Sequence, residues 1–166
     1  MPETHVTRAL HQEHQATLAL LRRLDAMLGC HGPTTPPDRA DPALAALLRD
    51  LASAVTGEIG PHFAFEERAL FPLLADADEL VATLTAEHAA LLPAALALPA
   101  ALALAAAARL PGPPAAWSGF HADAASLSAA LAAHVEKEEF GLLPALDAIL
   151  DAETDALLAM DYAAQR

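Results

Sequence analysis

The chain has 166 residues, 55% of them hydrophobic but only 4% aromatic, which suits one domain with a proper core and favours helix over strand. Its formal net charge of -13, with Lys137 as the single lysine, opposes a grip on a phosphate backbone, so nucleic acid is not an expected partner. Cys30 stands alone and the polar first residues lack the apolar core of a signal peptide, so no intrachain disulfide and a cytoplasmic location are expected.

Helix one is predicted from near Thr4, with Leu10, Leu18, Leu21, Leu24 and Leu28 at helical spacing on one buried face, until Gly29 and Gly32 stop it. A Pro-rich connector, Gly32 to Pro37, leads to Asp41 and Pro42, a capping residue followed by proline at the first helical position. Helix two runs toward Ala75. Pro61 lies inside it, and its ring collides with the carbonyl of Gly57, which predicts a kink just before His62.

Asp76 and Glu79 have capping-box spacing for helix three, which continues through His88 at least to Leu98. The uncharged run Ala89 to Ala108 has the length of a membrane span. It is mostly alanine, contains Pro93 and Pro99 and follows directly on His88, so it reads as a buried bundle helix and no membrane is expected. Pro111 to Pro114 breaks the chain, helix four runs from about Ala115 to Leu150, and a short helix, Ala152 to Tyr162, could cover an open end. The prediction is all-α: an antiparallel up-and-down four-helix bundle over residues 4–150 with a short extra C-terminal helix over 151–164, one domain across 1–166.

An internal repeat carries the chemistry. His62 is followed by Glu66, Glu67, Leu70 and Pro72 at the offsets at which His134 is followed by Glu138, Glu139, Leu142 and Pro144. From the chain's own composition, the Glu, Glu, Pro coincidence after any one histidine is roughly one in three thousand, so chance does not explain two copies. Glu13-His14 and Glu87-His88 echo each other more weakly at nearly the same offset, as a duplicated helical hairpin would give.

Residues at i and i+4 share a helix face about 6 Å apart, so His62 with Glu66, and His134 with Glu138, can each serve one metal centre. Pairing the two hairpins brings in His14 and His88. Glu66 and Glu138 from opposite helices can bridge two ions, with imidazoles completing each side. No cysteine belongs to this set; mixed imidazole and carboxylate suits Fe or Mn, with Zn compatible, and iron is the first choice.

These residues resemble the hemerythrin-like (HHE) family, recognised by a lone His on helix one, HxxxE on helix two, His on helix three and HxxxE on helix four. Here they are His14, His62 with Glu66, His88, and His134 with Glu138, and the stretch His62 to Pro72 is the most specific match. The resemblance covers about residues 5–150. It implies metal ligation by all six and two iron ions in a non-haem centre of the Fe–O–Fe type. Such a centre serves O2, peroxide or nitric oxide chemistry, iron or redox sensing, or iron handling, and a redox partner protein. Oxygen-carrying hemerythrins have a second histidine one turn away on helix three and an aspartate at +5 on helix four. Leu84 and Leu92 flank His88 instead, which points away from a dedicated oxygen carrier.

Oxidoreductase or peroxidase-like turnover and a sensing role are left side by side. The competing class is a zinc- or manganese-stabilised helical protein-interaction module without redox chemistry. Glu13, Glu67, Glu87 and Glu139 read either as groups orienting the imidazoles or as a solvated acidic face. His11, one turn before His14, reads as solvated in preference to a ligand or outer donor. His5, His31 and His121 read as unrelated, His121 lying about 20 Å along the helix from His134. Phe63, Phe65 and Phe71 read as core.

Overall fold

The computed structural model describes residues 2–38, 41–74, 77–107 and 114–165, and every regular element among them is helical. In chain order these are α1 (His5–Cys30), α2 (Pro42–Ala54), α3 (Gly60–Phe65), α4 (Asp78–Ala107), α5 (Pro114–Lys137), α6 (Leu143–Ile149) and α7 (Ala152–Ala164). A π turn at Val55–Ile59 joins α2 to α3 as one rod, which a second π turn, Glu66–Leu70, and a 3-10 turn, Phe71–Leu73, prolong. A third π turn, Glu138–Leu142, joins α5 to α6. α1 packs on α2 and α5, and α4 packs on the same two, which closes an up-and-down four-helix bundle; α7 lies along α1.

Local signals account for the starts of these rods. Thr4 caps α1 by accepting from the Thr7 N–H, and Asp41 caps α2 by accepting from Ala43 N–H with Pro42 behind it. The first N–H groups of α1, orphaned in an isolated helix, find carboxylates from the other end of the chain. Asp147 accepts from the backbone of Glu3 and Thr4, and buried Asp155 on α7 accepts from His5 and Val6, each of the latter two at 2.9 Å. α7 is thereby tied to the start of α1. The Asp76 capping box lies outside the described residues, and α4 extends past Leu98 to Ala107.

Each π turn begins six residues before a proline: Val55 before Pro61, Glu66 before Pro72, Glu138 before Pro144. The wider turn moves the carbonyl that the proline ring would strike, and it closes with bonds from Gly60, Phe71 and Leu143 N–H to the first residue's carbonyl. The kink expected before His62 is therefore a π turn, and two further ones start at Glu66 and Glu138. Pro93 lies inside α4 without such a turn, so proline alone does not dictate it. At the third turn a Cβ on Gly141 would come within 3.2 Å of Leu80, so glycine lets the turn approach α4 closely.

The apolar interior is split in two. One cluster gathers Leu24, Ile59, Leu91, Trp117 and Leu131, the other Leu10, Phe65, Leu70, Leu84 and Leu142. Burial of such side chains stabilises by about 1.5–3 kcal/mol each. On every rod the residues between the two clusters are polar and buried: Glu13 and His14 on α1, His62 on α3 with Glu66, His88 on α4, and His134 on α5 with Glu138. Among the described residues one segment, Glu79–Leu98 of α4, is long and apolar enough to cross a membrane. It carries Glu87 and His88 at its centre, while its Leu84, Leu91 and Ala95 are core residues of the bundle.

Candidate metal centre

The polar layer is built by helical spacing. His62 and Glu66 are one turn apart and so are His134 and Glu138, so each rod turns an imidazole and a carboxylate to the bundle axis together. All six inward residues, with His14 and His88, are at most 5% exposed. The imidazoles meet in two pairs: His14 Nε2 is 3.3 Å from His62 Nε2, and His88 Nε2 is 3.1 Å from His134 Nε2. The carboxylates lie between the pairs. Glu66 turns Oε1 to His62 at 3.3 Å and Oε2 to His88 at 3.4 Å, while Glu138 turns Oε2 to His14 at 3.1 Å and Oε1 to His134 at 2.8 Å.

Outside this layer every imidazole meets a carboxylate through its other nitrogen. His14 Nδ1 lies 2.6 Å from Glu139, His62 Nδ1 2.9 Å from Glu13, His88 Nδ1 2.9 Å from Glu67, and His134 Nδ1 2.8 Å from Glu87. A carboxylate accepts, so each Nδ1 carries the proton and each Nε2 presents its lone pair inward. The solvated-face reading of these four glutamates is therefore corrected: each sits beside an inward residue in sequence but serves an imidazole on another rod. The reading of His11 is corrected with it, since His11 Nδ1 donates to the second oxygen of Glu139 at 2.8 Å while a third of its side chain remains exposed. Lys137 Nζ lies 2.8 Å from Glu87, and the Tyr162 hydroxyl of α7 donates to Glu13.

Two opposed Nε2 lone pairs about 3 Å apart repel unless a cation or proton stands between them. All four oxygens of Glu66 and Glu138 are buried with no hydrogen-bond partner, an arrangement that costs several kcal/mol per group when nothing compensates it. Burial and the facing Glu138 charge raise the pKa of Glu66 above the ordinary carboxylate value. Burial acts the same way on Glu138, but His134, His14 and His88 outweigh it and hold that carboxyl well below the usual range. On His14, His62 and His134 burial opposes the charge and the adjacent carboxylates win, so all three bind protons more tightly than a free imidazole. Burial, with the charges of Glu66 and Glu138, raises the Tyr162 phenol and keeps it protonated.

The donors fit metal ions better than protons. Two imidazole nitrogens on one ion at about 2.1 Å stand roughly 3.0–3.4 Å apart, the spacing seen in both pairs. His14, His62, Glu66 and Glu138 offer ligand atoms all within 4.8 Å of one another, and so do His88, His134 and Glu138.

The surroundings of the two pairs differ. Phe63 stacks on His88 at 3.8 Å and 7°, with Phe71 behind at 5.6 Å, so these rings cover that half as well as filling core. Beside His14 and His62 lies a pocket lined by Thr17, Glu58, Ile59, Leu131 and Val135. His121, at the other end of the apolar cluster, contacts Leu28 O, and His5 pairs with Asp155; neither joins the layer.

Fold and site together define a helical bundle with a cluster of buried histidines and carboxylates that could hold metal cations. The Hemerythrin HHE cation binding domain model matches residues 5–146, a span that holds all six inward residues, and the chain belongs to that family. Comparison with curated proteins finds no match.

Proposed function

We propose that this protein holds two iron ions, one at His14 and His62 and one at His88 and His134, bridged by Glu66 and Glu138, and handles or senses a small ligand such as O2, peroxide or nitric oxide. One observation carries this reading: four inward Nε2 atoms around two carboxylates whose four oxygens have no hydrogen-bond partner, in a buried polar layer between two apolar clusters. The absence of thiolate from the donor set and its mixture of imidazole and carboxylate favour iron over softer ions. Paired iron ions, when bound, supply electrons to or accept them from a small molecule. The chain's own residues do the rest.

Glu13, Glu67, Glu87 and Glu139 fix the imidazole tautomers and ring orientations. The two apolar clusters keep water from the layer above and below it. Phe63 shields the His88 side, and the pocket at Thr17 and Glu58 is the opening through which a diatomic or peroxide reaches the His14 side. Metal analysis of protein purified natively, with absorption spectra before and after exposure to O2, tests the reading. Iron at about two per chain with visible charge-transfer absorption that changes on exposure is expected. Zinc alone, spectrally silent, would instead support a metal-stabilised interaction module and overturn the redox reading.

A further inference from the structure

The two repeats solve one problem with different residues. In the second, Glu87 is held at both oxygens: Oε2 accepts from His134 Nδ1 at 2.8 Å and Oε1 from Lys137 Nζ at 2.8 Å. Lys137 lies three residues after His134. The residue three after His62 is Phe65, which has no donor to offer Glu13. Where the lysine is missing, a phenol arrives from outside both repeats: the Tyr162 hydroxyl donates to Glu13 Oε2, the oxygen that accepts from His62 Nδ1, and lies 3.1 Å from that nitrogen. The Tyr162 ring is 5% exposed and packs on Phe65 itself at 4.6 Å, so the phenylalanine at the position corresponding to Lys137 forms the wall that seats the phenol.

We infer that Tyr162 is a positioning residue of the metal centre, holding the Glu13 carboxylate on His62 and so doing for the His14/His62 half what Lys137 does for the other half. The inference rests on the metal-centre reading above. It gives α7 a role beyond covering the bundle. Asp155, by accepting from the first N–H groups of α1, sets the helix at the height that brings Tyr162 to Glu13. Without the phenol, buried Glu13 loses a donor, its hold on His62 Nδ1 loosens, and the Nε2 lone pair is no longer fixed inward.

Tyr162→Phe keeps the ring and removes one oxygen. Wild type and variant are loaded anaerobically with ferrous iron and titrated with a chelator. The variant is expected to release one of its two ions about 10-fold more readily than wild type and the other unchanged, with the melting temperature of the metal-free protein shifted only slightly. Leu158→Ala, which trims α7 packing and leaves the phenol, is expected to lower melting without selective release. Because the effect runs through the Glu13 acceptor, Tyr162→Phe adds nothing in a Glu13→Ala background. In the metal-free protein the His62 Nδ1 proton, followed by NMR, exchanges about 10-fold faster in the variant. Wild type that takes up no iron overturns the metal-centre reading and this inference with it. Wild type with two ions, and a variant whose chelator and exchange profiles superimpose on it or whose effect adds to that of Glu13→Ala, overturns this inference alone.

Discussion

The halves of the layer around His14 and His62, and around His88 and His134, share a pattern of imidazoles and carboxylates and differ in much of what surrounds it. The repeated HxxxEE frame gives each half one imidazole, the Glu13-His14 and Glu87-His88 pairs give the other, and each half meets one oxygen of each shared carboxylate. Around the first half the outer carboxylates Glu13 and Glu139 are mostly buried, and a neutral phenol and a histidine hold them. Around the second, Glu67 is 45% exposed and Glu87 is neutralised by Lys137. Phe63 and Phe71 stack on His88 in the second half, whereas Phe63 and Tyr162 meet His62 only edge-on in the first, where a pocket that Phe63 also lines lies beside His14 and His62. The internal repeat accounts for the inward residues the halves share, and the different residues around them make the two positions unequal.

The comparison breaks most completely at a shared residue. Glu138→Ala removes an oxygen from both halves, so metal affinity is expected to fall by more than about 100-fold at each, read by metal content after dialysis. His62→Ala is expected to empty the first half and leave the second occupied. Equal loss from both halves in His62→Ala would show that they do not act as separate positions.

Phe63→Ala opens the covered side. A stability loss of about 3–5 kcal/mol is expected from denaturant melts of the metal-free protein, together with faster chelator attack on the His88 half. Glu87→Ala, which frees His134 Nδ1, is expected to weaken the second half by about 10- to 100-fold, and Lys137→Met by less, since the ammonium acts only through Glu87 and is 42% exposed.

The pH response has opposite signs with and without metal. The pKa values of His14, His62 and His134 are raised in the fold, so their contribution is complete below the unfolded value of 6.5 and is lost as pH climbs through the folded values. Stability of the metal-free bundle should therefore decline from about pH 6.5 upward. The lowered carboxyl of Glu138 acts in a separate window, costing stability only as pH falls below 4.5. Metal uptake must displace the same histidine protons and should strengthen across the range in which the metal-free protein weakens. Melts at several pH values, with and without iron, read both slopes.

The bundle and its six inward residues were legible in the chain because helical spacing and an internal repeat reinforce each other. His62 with Glu66, and His134 with Glu138, must share faces, and the offset carries His14 onto His88. The outer carboxylates were not legible, because adjacency in sequence misleads on a helix: Glu13 immediately precedes His14 in the chain but turns to His62. Their repetition at the repeat offsets, Glu13 with Glu87 and Glu67 with Glu139, was the available signal. The π turns at Glu66 and Glu138 could not be read from Pro72 and Pro144 alone, since Pro93 lies inside α4 without one. Tyr162 had no such signal, since it lies outside the repeat and reaches the layer only through the docking of α7.

The layer is proposed to hold two metal positions that share two carboxylates. Anomalous scattering at the iron edge from crystals grown with ferrous iron tests it directly. Two peaks of similar height are expected, one flanked by His14 and His62 and the other by His88 and His134, with Glu66 and Glu138 between them. A single peak, or iron bound away from these imidazoles, would contradict it.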